Sequence, residues 1–582
     1  MSALWNYTII VQSRFLFKRN FSNFSIRGKS KIPPIHNEPF LDYAVGSPER
    51  IKLRKALEKV SSECPHIPLV INGREVKTGQ IGKQQRPDKH QQTICEFEYA
   101  DHSTIEAAIQ GSLKAKKHWE TMPIDERLSI FLKAADLLST QYRAEACAAV
   151  MLGQGKTVWQ AEIDAAVETI DFWRFGCKFA EEIYGIQPPE NVKGVWNRAE
   201  HRPLEGFVAA ITPFNFVAIA ANLPSSPAIM GNVAVWKPTE SAMLGAWTMF
   251  NILREAGLPD GVIQFVPAKA SDFAKQVTHS EHLGGLHFTG STAVFEELQK
   301  MIGQNMAHYR SYPRVVGETG GKNFHFVHES ADIDNVVHNT IRGAFEYQGQ
   351  KCSATSRMYV PNNLWPRMRE RLVAEAKTIK VGSPDDFTSF MTAVIHERSF
   401  DKIQSYIQKA KESSSCKILF GGRCDKSVGY FIEPTIIETT DPDFVTMKEE
   451  IFGPVVTIYA YDPKHYVETL ELADSSSKYG LTASIFAKDR DAISKAEEIL
   501  RNSAGNFYIN DKCTGSIVGQ QPFGGSRKSG TNDKSGSASN LMRWVSVRSI
   551  KESFIPLKDY RYPHMVSDQT DEQVTKAQHQ FA

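Results

Sequence analysis

The middle of the chain alternates between short, continuous apolar runs and segments in which apolar residues have helical spacing. Each run is bounded by Pro, Gly or Asn, and such runs are typical of strands that are buried on both faces. The segment 241–256 has helical spacing and ends at Gly257-Leu258-Pro259, a helix stop signal. We therefore predict strands at 206–211, 233–236, 262–267 and 285–290.

Strands that alternate with helices predict a parallel sheet covered on both faces, with ligands at the carboxyl ends of its strands. Upstream of these strands, residues 103–180 have a mostly helical pattern. The segment 185–203 is rich in Pro, Gly and Asn, which predicts a protruding hairpin. A second alternating series begins near residue 330, and its first predicted elements are a helix at 332–347, a strand at 356–360 and a helix at 364–376.

Residues 206–236 carry no charged side chain, so a membrane span is an alternative for this segment. Pro213, Pro224 and Pro227 interrupt it, together with several asparagines. Backbone groups left unsatisfied in lipid each cost several kcal/mol, so an interrupted span is unfavourable. We predict a strand, a loop, a helix and a second strand here, and no membrane partner.

The composition is that of a globular protein, with 582 residues of which 41% are hydrophobic. The 68 basic and 66 acidic residues nearly balance, so the chain offers no general attraction to nucleic acid or to acidic membranes. The eight cysteines are widely scattered and form no CxxC pair, which is unlike a disulfide scaffold or a metal cluster. We expect a reducing compartment and no metal site.

The first 37 residues differ from the rest of the chain, because they contain serines, aromatic residues and six basic residues but no acidic one. This composition is typical of a mitochondrial transit peptide, which we assign to residues 1–32. A disordered start without a targeting role is the alternative. The basic residues are Arg14, Lys18, Arg19, Arg27, Lys29 and Lys31.

Four short motifs contain residue types that suit a single reaction, and they occur as PFNF (213–216), ETGGKN (318–323), GQKCSA (349–354) and EEIFGP (449–454). Together with WKP (236–238) and QPFGG (521–525), this order resembles the aldehyde dehydrogenase superfamily from about residue 100 to about residue 545. The longer stretches FEYQGQKCSA, ETGGKNFHFVH and NFYINDKCTGSIVGQQPFGG are similar to the branch that oxidises glutamate 5-semialdehyde to glutamate with NAD, which is mitochondrial in animals.

The resemblance implies that Cys352 is the nucleophile, which forms a thiohemiacetal with the aldehyde and then a thioester. A free thiol with a pKa near 8.5 is already a strong nucleophile, although only a small fraction is thiolate at neutral pH. We expect Lys351 and the backbone amides of the following turn to raise that fraction. For a cysteine without this context, a buried and inert side chain is the usual interpretation.

Two further catalytic roles follow from the resemblance. The side-chain amide of Asn215 and the backbone N–H of Cys352 are expected to stabilise the oxyanion, although an Asn in such a loop is otherwise an ordinary turn residue. Glu318 is expected to be the base that activates water for thioester hydrolysis, with a pKa raised by burial. The alternative for Glu318 is a surface residue before a turn. CoA-acylating relatives lack this acid, so its presence favours water as the acyl acceptor.

The chain has no GxGxxG fingerprint, so the expected NAD site rests on the resemblance. The pyrophosphate is expected at a helix N-terminus, where backbone amides and the helix dipole favour anions. Lys237 and Glu240 match the positions that hold the adenosine ribose, and an acid there favours NAD over NADP. Without the resemblance, both would be interpreted as solvated surface charges. The other expected cofactor contacts are Gly290, Ser291, Thr292, Ala293, Val294, Glu450 and Phe452.

The substrate has an amino-acid head, and the resemblance implies that hydroxyl and backbone donors bind its carboxylate. Ser353, Gly515 and Ser516 are the expected donors, and the alternative for Ser516 is an ordinary loop serine. Phe216 and Phe523 are expected beside the aliphatic part, and Thr212 also belongs to the expected substrate site. Cys513, next to these residues, has no role that the sequence assigns.

We therefore predict an α/β, aldehyde dehydrogenase-like fold with a parallel-sheet NAD-binding domain (33–186 and 203–317) and an α/β catalytic domain (318–510). A small β oligomerisation flap is expected from 187–202 together with the C-terminal segment 511–582. The resemblance implies a homodimer or a multiple of dimers, in the mitochondrial matrix. Two alternatives remain open: another NAD-dependent semialdehyde dehydrogenase with a different tail anchor, and a non-catalytic structural protein with the same fold.

Overall fold

A computed structural model of the chain describes residues 31–565, so residues 1–30 of the predicted transit peptide lie outside the described residues. The strands are His66–Ile67 (β1), Leu69–Ile71 (β2), Arg74–Val76 (β3), Ile81–Gln85 (β4), Thr93–Glu98 (β5), Val195–Pro203 (β6), Phe207–Ile211 (β7), Ala234–Lys237 (β8), Ile263–Phe265 (β9), Leu283–Thr289 (β10), Arg314–Glu318 (β11), Asn323–Val327 (β12), Thr355–Pro361 (β13), Cys416–Phe420 (β14), Cys424–Asp425 (β15), Phe431–Ile432 (β16), Thr435–Thr439 (β17), Val455–Tyr461 (β18), Tyr479–Gly480 (β19), Thr482–Phe486 (β20), Asn506–Ile509 (β21), Ser526–Arg527 (β22) and Val545–Ser553 (β23).

The α-helices are Pro48–Ser62 (α1), His102–Trp119 (α2), Ile124–Leu137 (α3), Arg143–Gln154 (α4), Val158–Ala161 (α5), Thr169–Tyr184 (α6), Val217–Ile229 (α7), Met243–Ala256 (α8), Ala270–His279 (α9), Thr292–Gln304 (α10), Ile333–Phe345 (α11), Trp365–Ala376 (α12), Glu397–Glu412 (α13), Val445–Lys448 (α14), Tyr466–Ser475 (α15), Arg490–Ile499 (α16) and Ala538–Met542 (α17). Short π-helical turns at Leu138–Tyr142 and Glu162–Glu168 join neighbouring α-helices, and 3₁₀ turns occur at Glu240–Ala242, Met306–His308, Glu346–Gly349, Pro463–His465 and Pro563–Met565.

The first of two seven-stranded sheets has the order β11-β10-β7-β8-β9-β2-β3. Its first five strands run parallel. The side chains of β7, β8, β9 and β10 are almost all buried, as the continuous apolar runs predicted, whereas β11 was not predicted and is only partly buried. The chain proceeds outward from β7 through β8 to β9, then returns to the other side of β7 with β10. The strand order therefore reverses between β7 and β10, where open α/β sheets form a ligand crevice.

The second seven-stranded sheet has the order β14-β17-β18-β13-β12-β20-β21. All neighbouring pairs are parallel except β14 with β17. The predicted helix at 332–347 corresponds to α11 and the 3₁₀ turn after it, and β13 follows as predicted. This sheet carries the Cys352 loop between α11 and β13, while the first sheet carries Glu318 at the end of β11. These two sheets give the chain its mixed α/β architecture.

The prediction of a hairpin within 185–203 is wrong. Only β6 is a strand there, and it pairs antiparallel with β23, from Val195 opposite Ser553 to Pro203 opposite Val545. A local pattern of Gly, Pro and Asn marks a turn but cannot identify a partner strand that lies hundreds of residues away. The division into domains, including the flap, stays a prediction.

The uncharged segment 206–236 contains β7, the buried helix α7 and β8, so its predicted division into strand, helix and strand is confirmed. Among residues 31–565, no helix is both long enough and apolar enough to cross a bilayer.

Candidate active site

The carboxyl edge of the first sheet brings together several residues that the sequence singled out. Lys237 ends β8 and Glu318 ends β11, while Gly290 follows β10 and donates its N–H to the Glu318 carbonyl over 3.1 Å. Thr212 follows β7 on the same edge. The predicted catalytic base thus lies directly beside the predicted pyrophosphate-binding turn.

Cys352 lies in a loop whose backbone is tightly constrained. Tyr347 and Gln348 both have positive φ (52° and 56°), and Gly349 follows with φ 64°. A Cβ at 349 would lie 2.3 Å from the Gly453 carbonyl oxygen, so this position requires glycine. Two consecutive left-handed non-glycine residues are costly, and such backbone is found where the surroundings hold it and function uses it.

Buried glutamine amides hold this loop in place. The Gln348 Nε2 donates to the carbonyl oxygens of Gly155 and Ala393, over 3.0 and 2.9 Å, and its Oε1 accepts from the Thr392 N–H over 3.0 Å. The Gln350 Oε1 accepts from the N–H of Ile395 over 2.9 Å. The residues before Cys352 are therefore tied to segments on two sides of the loop.

Cys352 itself is half-buried, and only one of the two expected activators acts on its thiol. The backbone N–H groups of Cys352 and Ser353 lower its pKa as expected, whereas Lys351 does not contribute. Lys351 forms a buried ion pair with Glu346 over 3.0 Å instead of supporting a thiolate. Burial, followed by the charges of Glu318 and Glu450, raises the pKa of the Cys352 thiol. The expectation that Lys351 would increase the thiolate fraction is wrong, because its charge is already neutralised by a nearer partner.

Asn215 is buried beside the nucleophile loop. Its Nδ2 donates to the carbonyl oxygen of Gln350 over 3.2 Å, two residues before Cys352. Asp164 fixes the following turn, because its carboxylate accepts from the N–H groups of Val217 and Ala218 over 3.0 and 2.8 Å at the start of α7. The side-chain amide is therefore held close to the nucleophile loop, in a position that suits an oxyanion donor.

Glu318 faces the same cavity as Cys352 and has an environment that favours its neutral form. Burial raises its pKa to about 8, with a further contribution from the charge of Asp533 that Lys534 partly offsets. The loop after Glu318 also contacts the nucleophile, since a Cβ on Gly321 would lie 2.3 Å from the Cys352 carbonyl oxygen. A carboxyl group with a pKa near the working pH is well suited to accept a proton from water.

This pKa predicts how thioester hydrolysis depends on pH. Glu318 is a competent base only when ionised, so the hydrolysis rate should rise as pH increases through about 8 and then level off. The measurement is single-turnover release of the acid product from the acylated protein across this range. A rate that stays flat or falls through this range would contradict the assignment of Glu318 as the base.

One cavity of about 250 Å³ contains most of the predicted catalytic and substrate residues, namely Phe216, Glu318, Cys352, Ser353, Gly515, Ser516 and Phe523. Thr212 is not on its wall. The Thr212 hydroxyl accepts from the Trp236 indole N–H over 3.1 Å, so its side chain is occupied within the first sheet. The structure therefore separates Thr212 from the predicted substrate residues.

The predicted carboxylate donors lie on two facing loops. The hydroxyls of Ser353 and Thr514 are 2.7 Å apart, which joins the nucleophile loop to the loop that contains Gly515 and Ser516. The Gly515 and Ser516 amides form no hydrogen bond with another residue in the range 31–565, so they are free to bind a ligand. The Cys513 thiol lies behind this junction, 3.4 Å from the Ser353 carbonyl oxygen, and burial raises its pKa to about 11.

The cavity also has walls that no motif indicated. Phe40 stacks on Trp159 with ring centroids 5.3 Å apart, and both rings line the cavity. Glu168 lies on the same wall, and burial raises its pKa to about 8. These residues come from the segment that the sequence analysis assigned to the NAD-binding domain. Their sequence distance from Cys352 left no local signal that they belong to this site.

The predicted cofactor residues of the first half lie along one surface, at the carboxyl edge of the first sheet. Ser291 is the N-cap of α10, and its side chain forms no capping hydrogen bond, so the first amides of this helix are available to an anion. Lys237 is buried, and the one hydrogen bond of its ammonium to a residue in the range 31–565 is with the Pro238 carbonyl oxygen over 3.3 Å. Burial lowers the pKa of Lys237, an effect that Glu240 opposes.

The other predicted cofactor residues lie on both sides of this surface. Thr292, Ala293 and Val294 form the partly exposed first turn of α10. In the second half of the protein, the Glu450 carboxylate accepts from the Gly321 N–H over 2.9 Å, and Phe452 packs edge-on against Phe214 with centroids 5.8 Å apart.

A larger cavity, about 1310 Å³, lies beside the β6–β23 ribbon. It contains none of the predicted catalytic, cofactor or substrate residues among its lining residues. Volume alone therefore does not identify the site, and the chemistry of the wall residues favours the smaller cavity.

Comparisons with known proteins agree with this geometry. The model of the aldehyde dehydrogenase family matches residues 78–550. A mitochondrial delta-1-pyrroline-5-carboxylate dehydrogenase of Dictyostelium discoideum is 53% identical over 540 residues, which cover 92% of this chain and 97% of that protein. The human mitochondrial protein of the same name is 52% identical over 554 residues, covering 95% and 98%.

A solved structure of a related protein is also similar to this chain over most of its length. The delta-pyrroline-5-carboxylate dehydrogenase of Mycobacterium tuberculosis, crystallised with NAD, matches with a TM-score of 0.90 at 44% identity, covering 93% of this chain and 100% of the other. The family match spans the five parallel strands of the first sheet, the whole second sheet and the loops that carry Glu318 and Cys352. This chain therefore belongs to the aldehyde dehydrogenase family.

Proposed function

We propose that this protein oxidises L-glutamate 5-semialdehyde, which forms from 1-pyrroline-5-carboxylate, to L-glutamate with NAD in the second step of proline degradation. The observation that carries the proposal is one cavity that joins a thiol, a carboxylate with a raised pKa and free amide donors (Cys352, Glu318, Gly515 and Ser516). The relatives of about 50% identity and the structure crystallised with NAD support the same activity.

In the first step, the Cys352 sulfur attacks the aldehyde carbon. Because burial raises the pKa of this thiol, a base must take its proton, and Glu318 is the carboxylate on the same cavity wall. The oxyanion that forms would accept hydrogen bonds from the Asn215 amide and the Cys352 N–H. Losing one such donor typically lowers the rate about 10²–10³-fold. NAD, when bound, accepts the hydride, and Cys352 is left as a thioester.

Before the second step, Glu318 releases the thiol proton to solvent. It then takes a proton from water, which attacks the thioester carbon. The C–S bond breaks, the acid product leaves, and the sulfur regains a proton. The loop after Glu318 supports this role, because only glycines let it lie so close to the nucleophile loop. A Cβ on Gly320 would lie 2.5 Å from the Glu450 carboxylate, and one on Gly321 would lie 2.3 Å from the Cys352 carbonyl oxygen. Glu240 near the expected ribose position favours NAD over NADP, since an added phosphate would face a carboxylate.

The substrate's amino-acid head would bind at the far end of the cavity. Its carboxylate would accept from the Ser353 and Ser516 hydroxyls and from the free amides at Gly515 and Ser516. Glu168 on the cavity wall could accept from the substrate ammonium, whose positive charge would lower the raised pKa of this carboxyl and favour its ionised form. Hydrogen bonds to a charged group contribute about 1.5–3 kcal/mol each, so such a site should strongly prefer this substrate over a plain aldehyde.

Replacing Ser516 with alanine tests this substrate assignment. We expect kcat/KM for glutamate semialdehyde to fall about 10- to 100-fold, because one hydrogen bond to the substrate carboxylate is lost. kcat/KM for propanal, which has no carboxylate, should stay within about twofold of the unmodified protein. Ser427→Ala, in an exposed loop, is the matched control. Equal losses on both aldehydes would refute Ser516 as a carboxylate ligand.

The setting of the reaction is also part of the proposal. Relatives that are named as mitochondrial, together with the basic composition of residues 1–32, support a mitochondrial location, and we place the enzyme in the matrix. A homodimer, or a multiple of it, would form through the β6–β23 ribbon. Half-exposed apolar side chains on both strands, Trp196 and Val547, support this role.

A further inference from the structure

We propose that the N-terminal arm (residues 35–41) forms the outer wall of the substrate cavity, and that Asn37 positions the 514–520 loop for binding of the substrate head. The inference rests on the proposed function for the identity of that head. The arm follows directly after the predicted transit peptide, and no sequence motif connected it with the active site.

The Asn37 side chain connects three partners. Its Nδ2 donates to the Asp171 Oδ2 over 2.7 Å and to the Val518 carbonyl oxygen over 2.8 Å, while its Oδ1 accepts from the Gln520 Nε2 over 3.0 Å. Two donors and one acceptor are what an asparagine amide supplies. The reverse amide orientation would place its oxygen against a carboxylate and a carbonyl, so these partners define the orientation.

The arm is itself firmly held. The buried Glu38 carboxylate pairs with Arg143 over 2.5 Å and with Arg174 over 2.6 Å, and the Glu38 N–H donates to the Asp171 Oδ1 over 2.8 Å. The Leu41 N–H donates to the Glu162 Oε1 over 2.8 Å. The arm therefore has rigid anchors on both sides of Phe40, which lines the cavity and stacks on Trp159.

The 514–520 loop needs support from neighbouring segments, because the N–H groups of Gly515 and Ser516 form no hydrogen bond within residues 31–565 that would hold them in place. Its inner end is tied to the nucleophile loop by the hydroxyls of Ser353 and Thr514, 2.7 Å apart. Its outer end is tied to the arm by Asn37, and Val518 packs in a small apolar cluster that Ile35 also contacts. Donors that are ordered before binding avoid the cost of ordering a loop in the complex. Asn37 is thus a positioning residue that would act on substrate binding.

The test is Asn37→Ala in the full-length protein. We expect KM for glutamate semialdehyde to rise roughly tenfold or more, because the loop must then be ordered during binding. kcat should change far less, and KM for NAD and kcat/KM for propanal should stay within about twofold. Asn363→Ala, which removes an exposed amide 3.3 Å from the Glu329 carboxylate, is the matched control and should change none of these values.

A second measurement does not depend on the substrate. Hydrogen–deuterium exchange of peptides that cover 514–520 should be faster in Asn37→Ala than in the unmodified protein, while exchange across β12 stays the same. If the unmodified protein does not prefer glutamate semialdehyde, the proposed function fails, and exchange still reports whether the arm holds the loop. Unchanged exchange would overturn the inference, and so would faster exchange without a rise in KM.

Exchanging the amide and the carboxylate between residues 37 and 171 checks the Asn37–Asp171 contact itself. Asn37→Asp would place two carboxylates 2.7 Å apart, so its KM should be higher than that of Asn37→Ala. Adding Asp171→Asn restores a donor opposite the new carboxylate and should recover part of the loss. No recovery in the double variant, or an equal loss on both aldehydes together with a lower Tm, would show that the arm only stabilises the fold.

Discussion

Replacing Cys352 with alanine should abolish NADH formation from every aldehyde, with a fall in kcat of at least about 10⁴-fold. The physical reason is that alanine has no sulfur to attack the aldehyde. No thiohemiacetal forms, so there is no intermediate from which hydride can be transferred. NAD should still bind to the variant, because the predicted cofactor residues lie on the first sheet and on the loop of Glu450. NADH formation by absorbance and NAD binding by calorimetry test the two halves of this prediction.

Cys64→Ala is the matched control for this variant, since Cys64 is an exposed thiol outside the cavity. Its activity should equal that of the unmodified protein. Substantial turnover by Cys352→Ala would refute the assignment of Cys352 as the nucleophile. Loss of both activity and NAD binding would indicate that the substitution disturbed the loop rather than the chemistry.

Replacing Glu318 with glutamine should slow the loss of the Cys352 proton and should stop the reaction after hydride transfer. The thiol can still ionise without this base, whereas water is a far weaker acid and depends on it. General bases typically contribute about 10²–10⁴-fold, so thioester hydrolysis should slow by that factor and acylated protein should accumulate. Intact-protein mass spectrometry after mixing with substrate and NAD should show the mass of the acyl group on the protein. Adding Cys352→Ala should remove this mass.

Glu297→Gln, on the exposed face of α10, is the matched control and should show neither a mass increase nor slower turnover. Unchanged steady turnover in Glu318→Gln would refute the base assignment. A complete loss without any acylated protein would instead assign Glu318 only to the earlier step, in which the thiol loses its proton.

Four parallel strands of the first sheet, β7, β8, β9 and β10, were predictable from sequence because each one lies in a continuous apolar run between helix signals. The fifth, β11, contains Arg314 and Glu318 and was not predicted. Burial on both faces leaves no freedom for polar residues in such strands, so β7, β8 and β10 are visible locally. The pairing of β6 with β23 was not predictable. It depends on two segments about 350 residues apart, and neither segment contains a signal for the other.

In the candidate active site, too, residues in local sequence motifs were predictable, and residues that distant segments bring together were not. Cys352, Glu318 and Asn215 lie in short motifs, so the resemblance identified them, and the structure places them around one nucleophile loop. The environment of the thiol was mispredicted, because Lys351 neighbours Cys352 in sequence while its charge pairs with Glu346. Asn37 and Phe40 were missed altogether, since their contribution arises only when the arm crosses the mouth of the cavity.

The proposed activity is tested most directly by the rate of NADH or NADPH formation by the purified protein with three aldehydes. We would compare kcat/KM for glutamate semialdehyde, succinate semialdehyde and propanal, each with NAD and with NADP. We expect a clear preference for glutamate semialdehyde with NAD, and glutamate as the product in amounts equal to NADH. A preference for another aldehyde would contradict the substrate assignment while keeping the mechanism, and inactivity with all three would contradict the proposed function.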